Sequence, residues 1–220
     1  MKYLMLLLVC GCSIILKGQP KDFEPEIYFG VKGGATFAKV RFYPSVRETY
    51  LDGNTGGLVF RYISEPHIGF QIEANYIQKG WREDSTGYSR RLNYVSLPVM
   101  THVNMGNKAF RFTLNFGPEI GYMISENESF NPPKTVSPGD PGYREYFGKP
   151  VDTQFDFLFT VGFGVEYHFK KGGAIVFDTR GFYSLPNLFD KNNYPYSISQ
   201  SNGIESTLAY VFQFRKKPKK

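Results

Sequence analysis

A chain of 220 residues, 41% hydrophobic and 17% aromatic, is long enough to bury one full domain core, and its 23 glycines tilt it toward strands. The mean hydropathy of −0.33 argues against a bundle of membrane helices, and beyond residue 16 no apolar run approaches the ~20 residues a spanning helix requires. The formal charge of +6 is a poor sign of nucleic-acid binding. Lys2 and Lys17 lie in an N-terminal leader, and Arg215, Lys216, Lys217, Lys219 and Lys220 fill most of the last six positions; taking these two and five cations from +6 leaves a body near −1.

Residues 1–18 read as a cleaved signal peptide: Lys2 is the positive start, Leu4 to Leu16 the apolar run, and polarity returns at Lys17, Gly18, Gln19 and Pro20. An alternative takes Val9-Cys10-Gly11-Cys12 as a lipobox with Cys12 lipidated. Under ordinary cleavage both cysteines leave with the leader, which removes disulfides, thiolate metal sites and cysteine nucleophiles from the mature chain. A short periplasmic segment, 19–26, then leads into a barrel spanning 27–214, and 215–220 form a solvated basic tail.

Period-two alternation predicts eight strands, at 27–38, 56–63, 67–78, 91–103, 109–125, 153–169, 173–185 and 203–214. The contrast is sharpest in the fifth and sixth. Phe110, Phe112, Leu114, Phe116, Ile120 and Tyr122 oppose Arg111, Thr113, Asn115, Gly117, Glu119 and Gly121; Phe155, Phe157, Phe159, Val161, Phe163 and Val165 oppose Gln154, Asp156, Thr160, Gly162, Gly164 and Glu166. Alternation also occurs in soluble sandwiches and lipocalin-type barrels, so the decisive question is which face points inward. The apolar face carries too much aromatic volume for the inside of an eight-stranded barrel. The other face is glycine with isolated ions, with Lys32 as its one mid-strand lysine, whereas a water-facing surface carries many Lys and Glu. The apolar face therefore meets lipid, with every backbone group paired around a closed sheet.

Connections alternate long and short (39–55, 64–66, 79–90, 104–108, 126–152, 170–172, 186–202), the asymmetry of outer-membrane barrels with long extracellular loops and short periplasmic turns. The expected fold is all-β: an eight-stranded antiparallel up-and-down transmembrane β-barrel in the outer membrane, with both termini periplasmic. The partners this implies are outer-membrane lipids and lipopolysaccharide, the outer-membrane assembly machinery and other envelope or secretion proteins, with no nucleic acid.

The chain also resembles the PorT-like outer-membrane β-barrel family over roughly 27–214. The resemblance rests on Gly30-Val31-Lys32-Gly33-Gly34, Tyr76 with Lys79-Gly80, Leu92-Asn93-Tyr94 with Leu97-Pro98, Gly117-Pro118 with Gly121-Tyr122, Gly162-Phe163-Gly164 and Leu185-Pro186-Asn187-Leu188. It implies a small outer-membrane barrel, often without an assigned activity, in a family whose namesake is connected with a protein-secretion and gliding apparatus.

Inward charges are expected at Lys32, Arg61, Arg111 and Arg180 and at Glu73, Glu119, Asp156, Glu166, Asp178 and Glu205. Intermingled, they read as a paired network filling the lumen, with Arg111 and Glu166 paired across adjacent strands. His67, His102 and His168 fall at periplasmic strand ends, away from the serine-bearing loops, so no base–nucleophile pair is expected. They map to one similar height facing inward, but without a close His-x-His spacing, and neither metal nor cofactor is expected. Function should then sit in the loops, with Tyr143, Tyr146, Phe147, Phe189, Tyr194 and Tyr196 as contact residues or as loops packing over the mouth. Tyr210, Phe212 and Phe214 resemble a terminal aromatic assembly signal. The reading is non-enzymatic, with a lipid or peptide hydrolase and a soluble lipocalin-like binder as alternatives.

Overall fold

The computed structural model describes residues 23–130, 136–140, 142–170 and 172–214. The signal peptide, the first residues of segment 19–26, Asn131-Pro132-Pro133 and the basic tail lie outside the described residues.

Nine strands are present among the described residues: β1 (Glu26–Tyr43), β2 (Glu48–Thr49), β3 (Leu51–Ile63), β4 (Ile68–Glu83), β5 (Tyr88–Gly106), β6 (Phe110–Phe130), β7 (Phe155–His168), β8 (Gly173–Ser184) and β9 (Ile198–Phe214). Eight of them form an antiparallel ring. Each pairs with its sequence neighbour, and β9 returns to β1 in a register running from Ile27↔Phe214 to Tyr43↔Ile198, which closes the sheet and leaves no edge. β2 is a two-residue lip on the end of β4.

The orientation of the aromatic face is as expected. Phe29, Phe70, Phe112, Phe157, Phe163, Phe177 and Leu208 all point outward and are exposed, while the alternate positions are buried in the lumen. The band ends above in tyrosines whose hydroxyls meet polar neighbours: Tyr76 with Asn93, Tyr122 with Gln154 and Tyr183 with Gln200. Such amphipathic rings suit the membrane–water boundary.

Strand ends differ from expectation, and the difference is one-sided. At the periplasmic end the bounds agree within a few residues. At the extracellular end β1 runs five residues past 38, and β4 and β5 continue to a four-residue turn at 84–87, where Gly87 takes φ 69°. The expected loops 39–55 and 79–90 are therefore mostly sheet. Above the tyrosines the outward positions become polar (Lys39, Arg41, Gln78, Arg82, Ser89, Arg91), while the inward ones become apolar (Val40, Phe42, Ile77, Trp81, Tyr88, Leu92). Burying that inner face stabilises the protruding hairpins in water. Only the last two extracellular connections, 131–154 and 185–197, are long.

Candidate functional site

The interior is built in three tiers. At the periplasmic end Tyr28, Val59, Ile63, Ala174, Val176, Ala209 and Val211 form a small apolar cluster, with Phe23 packed against it. Sequence reading missed this floor, because Val59, Val176 and Val211 are scattered singly among glycines and ions.

The middle tier is ionic. Glu73 accepts from both Lys32 Nζ (2.7 Å) and the Arg180 guanidinium (3.0 and 3.1 Å), and also from Gln71 and Asn75. Lys32 also meets Glu205 at 2.9 Å, and Arg180 donates to Asp178 at 2.7 Å. Arg61 donates to Glu166 at 2.5 Å and to Gln71 at 2.7 Å. Higher up, Lys79 Nζ lies 2.6 Å from Asp156, which also accepts from Ser184, and Thr160 donates to Glu119 at 3.0 Å. Of the ten charges placed in the lumen from sequence, nine are buried and Arg111 is half-buried at the lower rim. Small neighbours make room for them: a Cβ on Gly162 would lie 2.5 Å from the Arg180 Cβ. The remaining lumen cavity among these groups is about 10 Å³, room for roughly one water.

One expected pair is corrected. Arg111 and Glu166 are register partners on β6 and β7, yet each takes another partner. Arg111 donates to Glu26 at 3.0 Å, and Glu166 takes Arg61 from across the lumen together with His168 at 2.9 Å. In so narrow a barrel a side chain reaches the opposite wall as readily as the next strand, so register alone does not select the ion pair. The histidines do not converge either. His67 is exposed in the 64–67 turn against the Asn104 carbonyl, His102 is buried against Asn115 Oδ1 at 2.7 Å, and His168 holds Glu166. Among the described residues no group of three or more His, Cys, Asp or Glu is arranged to hold a metal ion.

The top tier closes the mouth. Residues 142–154 and 185–197 fold inward, so that Tyr146 lies near-parallel to both Phe42 (5.4 Å) and Phe189 (5.1 Å) and meets Trp81 edge-on at 5.7 Å. Tyr194 and Tyr196 are buried in the same cluster, with Phe147 at its edge. These four buried loop aromatics were expected to be open to a partner or packed over the mouth; they are packed. Tyr143, against Phe147 at 6.1 Å, is the most peripheral of the six. The physical reason is volume: the upper strands line an apolar well above the ions with Phe42, Trp81 and Tyr88, and the loop rings fill its centre.

Polar latches hold this lid. The Tyr146 hydroxyl donates to Glu83, which also takes Thr86 at 3.2 Å and lies 3.5 Å from Arg144. Arg90 engages Glu126, Glu128 and the Lys149 carbonyl. Burial pushes the Glu83 carboxyl above its ordinary value, against the pull of Tyr146 and Arg144. Burial also pushes the Tyr146 hydroxyl far up, reinforced by Glu83, and Tyr196 up to about 12. Lys79, Glu83, Arg90, Glu126 and Glu128 were assigned to loops from sequence. For Lys79, Glu83 and Arg90 strand parity, continuous with Asn75 on β4 and Ser96 on β5, was the signal that places them inside; Glu126 and Glu128 follow a register shift opposite Asn93/Tyr94 that parity does not foresee.

Tyr210, Phe212 and Phe214 project outward along the end of β9. Comparison with solved structures finds small outer-membrane barrels. OprG from Pseudomonas aeruginosa is 10% identical, covering 87% of this chain and 96% of that one, with a TM-score of 0.50. Ail, the attachment invasion locus protein of Yersinia pestis, is 11% identical over 85% of this chain and 99% of that one (TM-score 0.45), and Neisserial surface protein A is 10% identical over 84% and 97% (TM-score 0.46). At such identities the likeness is one of fold. No curated protein matches significantly by sequence. A family model described as "Outer membrane protein beta-barrel domain" matches residues 19–190, and the chain belongs to that family of outer-membrane barrels.

Proposed function

We propose that this protein is a non-enzymatic outer-membrane barrel that acts through its extracellular rim, in a surface-interaction or secretion-associated role of the PorT-like kind. The observation carrying this reading is the filled interior: an apolar floor, a paired ionic middle and an aromatic lid, with about 10 Å³ left between the ions. A solute path or an open catalytic cleft needs space that the described lumen does not offer, which leaves the outer surfaces for contact. The hydrolase alternative would need a base beside a nucleophile at the outer rim, and all three histidines belong to the periplasmic ends of β4, β5 and β7 or their turns.

Two measurements test this. In planar bilayers the purified protein is expected to give no stable conductance, and a large steady one would end the reading. In its native host, deletion of the gene followed by profiling of exported proteins and of crosslinked envelope partners separates the roles. Loss of export or of a specific partner supports it. An unchanged export profile with no crosslinked partner, alongside hydrolysis of phospholipid or peptide by the purified protein, overturns it.

A further inference from the structure

The outer wall carries an apolar groove beside Gly181. Val161, Gly181 and Ile204 are register neighbours on β7, β8 and β9, facing lipid. Gly181 contributes no side chain between its two apolar neighbours. A groove of about 330 Å³ opens there, walled by Phe159, Val161, Tyr183 and Ile204, with Tyr50 and Asn202 at its lip. That volume falls at the lower end of the ~300–1,000 Å³ of small-molecule sites.

The lip lies on the extracellular side, since the chain climbs from Gly181 toward the end of β8 at Ser184 and from Asn202 toward the start of β9 at Ile198. Lys39 is the register partner of Asn202, and its Nζ sits 5.0 Å from the Tyr50 ring centroid. Arg41, two residues on, is exposed opposite Gln200. Each lumen cation described above has a carboxylate, and on the outer wall Arg82 has Asp52 at 3.6 Å. Among the described residues Lys39 and Arg41 have no carboxylate partner. Two unpaired cations therefore stand directly above a chain-sized apolar groove, at the height where tyrosines mark the boundary with the headgroups.

We propose that this groove and the two cations above it form a binding site for a phosphorylated lipid A of the outer leaflet. One acyl chain lies over Gly181 between Phe159 and Ile204, and a phosphate meets Lys39 and Arg41. Sterol-like or uncharged amphiphiles would satisfy the groove alone, and soluble anions the cations alone; a phosphorylated acyl lipid satisfies both.

The test uses the full chain extracted in mild detergent and titrated with phosphorylated lipid A, dephosphorylated lipid A and phosphatidylglycerol, with bound lipid counted by native mass spectrometry. The paired substitution Lys39→Gln and Arg41→Gln is expected to weaken the phosphorylated lipid roughly thirtyfold and to leave the dephosphorylated one unchanged. Gly181→Leu fills the groove and is expected to weaken both. A Cβ at Gly181 meets only the Gly203 carbonyl oxygen at 3.9 Å, ordinary contact, and the position faces lipid, so this variant is expected to keep the fold. Arg82→Gln serves as the control and is expected to bind like the parent. Heat-dependent gel migration reports barrel integrity for each variant independently of lipid. Parental affinity in either the double variant or Gly181→Leu, or phosphatidylglycerol bound as tightly as phosphorylated lipid A, overturns the proposal.

Discussion

Replacing Arg180 by methionine keeps an unbranched side chain of similar reach and deletes one charge from the centre of the barrel. In the parent, two cations, Lys32 and Arg180, face three carboxylates, Glu73, Asp178 and Glu205, all buried. Without Arg180 a single lysine faces those three, Asp178 loses its cation and Glu73 loses two of its donors. Removing one partner of a buried ion pair costs about 3–5 kcal/mol, because the other is left charged and unsolvated. Glu73→Gln provides the contrast. It leaves two cations and two carboxylates, with the Lys32–Glu205 pair at 2.9 Å and the Arg180–Asp178 pair at 2.7 Å intact. Its cost is confined to donors that lose an ideal acceptor, about 1–3 kcal/mol. Urea unfolding in micelles, followed by gel migration and by fluorescence of the single tryptophan, is expected to place R180M below E73Q by about 2 kcal/mol. If E73Q falls as far as R180M, or R180M stays within about 1 kcal/mol of the parent, the charge-balance reasoning is wrong.

Gly162→Ala sets a Cβ 2.5 Å from that of Arg180 and 3.1 Å from the Thr179 oxygen, and should cost about 1–3 kcal/mol by overpacking; an unchanged urea midpoint would show that the strands part freely. Tyr146→Ala empties the centre of the lid, and should lower stability by about 3–5 kcal/mol and shift the emission of fully buried Trp81 to the red; unaltered emission would mean the ring does not seal the mouth. Glu83, at the top of β4 above the lipid band, carries a pH signature. Its folded value is raised, so between the unfolded value near 4.5 and that raised value the folded state holds more protons than the unfolded one, and stability increases as pH falls through this window. Amide-exchange protection of 142–153 should thus grow on mild acidification in the parent and lose that dependence in Glu83→Gln. Protection that falls with acid in the parent reverses the sign and refutes it.

Much of the membrane-embedded wall was legible because one solvent acts on each face there. Phe112, Phe157 and Phe177 must meet hydrocarbon, and Lys32, Glu73 and Arg180 must avoid it, so alternation, residue size and charge give one answer. Strand number followed from the alternation, closure from the lipid-facing apolar side, and the spacing of turns supported both. Individual ion pairs were not legible, since Arg61 on β3 reaches Glu166 on β7 across the axis, a choice set by side-chain length and lumen width rather than by register. The apolar floor escaped notice for a related reason: Val59 and Val211 meet only in three dimensions.

The extracellular extensions show why periodicity faded where the strands did not. Along β1 the backbone phase is unbroken from Glu26 to Tyr43, but below Ala38 the odd positions are apolar, and above it they are Lys39 and Arg41, with Val40 and Phe42 turned inward. The same exchange occurs on β4 between Tyr76 and Trp81 and on β5 between Val95 and Leu92. A period-two search that expects one chemistry per face reads this inversion as the end of a strand. Physically it marks a change of solvent at constant geometry: the wall leaves lipid and enters water, so the apolar side moves to the axis, as in any soluble core. Two rules then govern substitutions in one continuous strand. An outward Phe112 tolerates any lipid-compatible replacement, whereas inward Phe42 and Trp81 obey close packing and suffer from the loss of even a few methylenes.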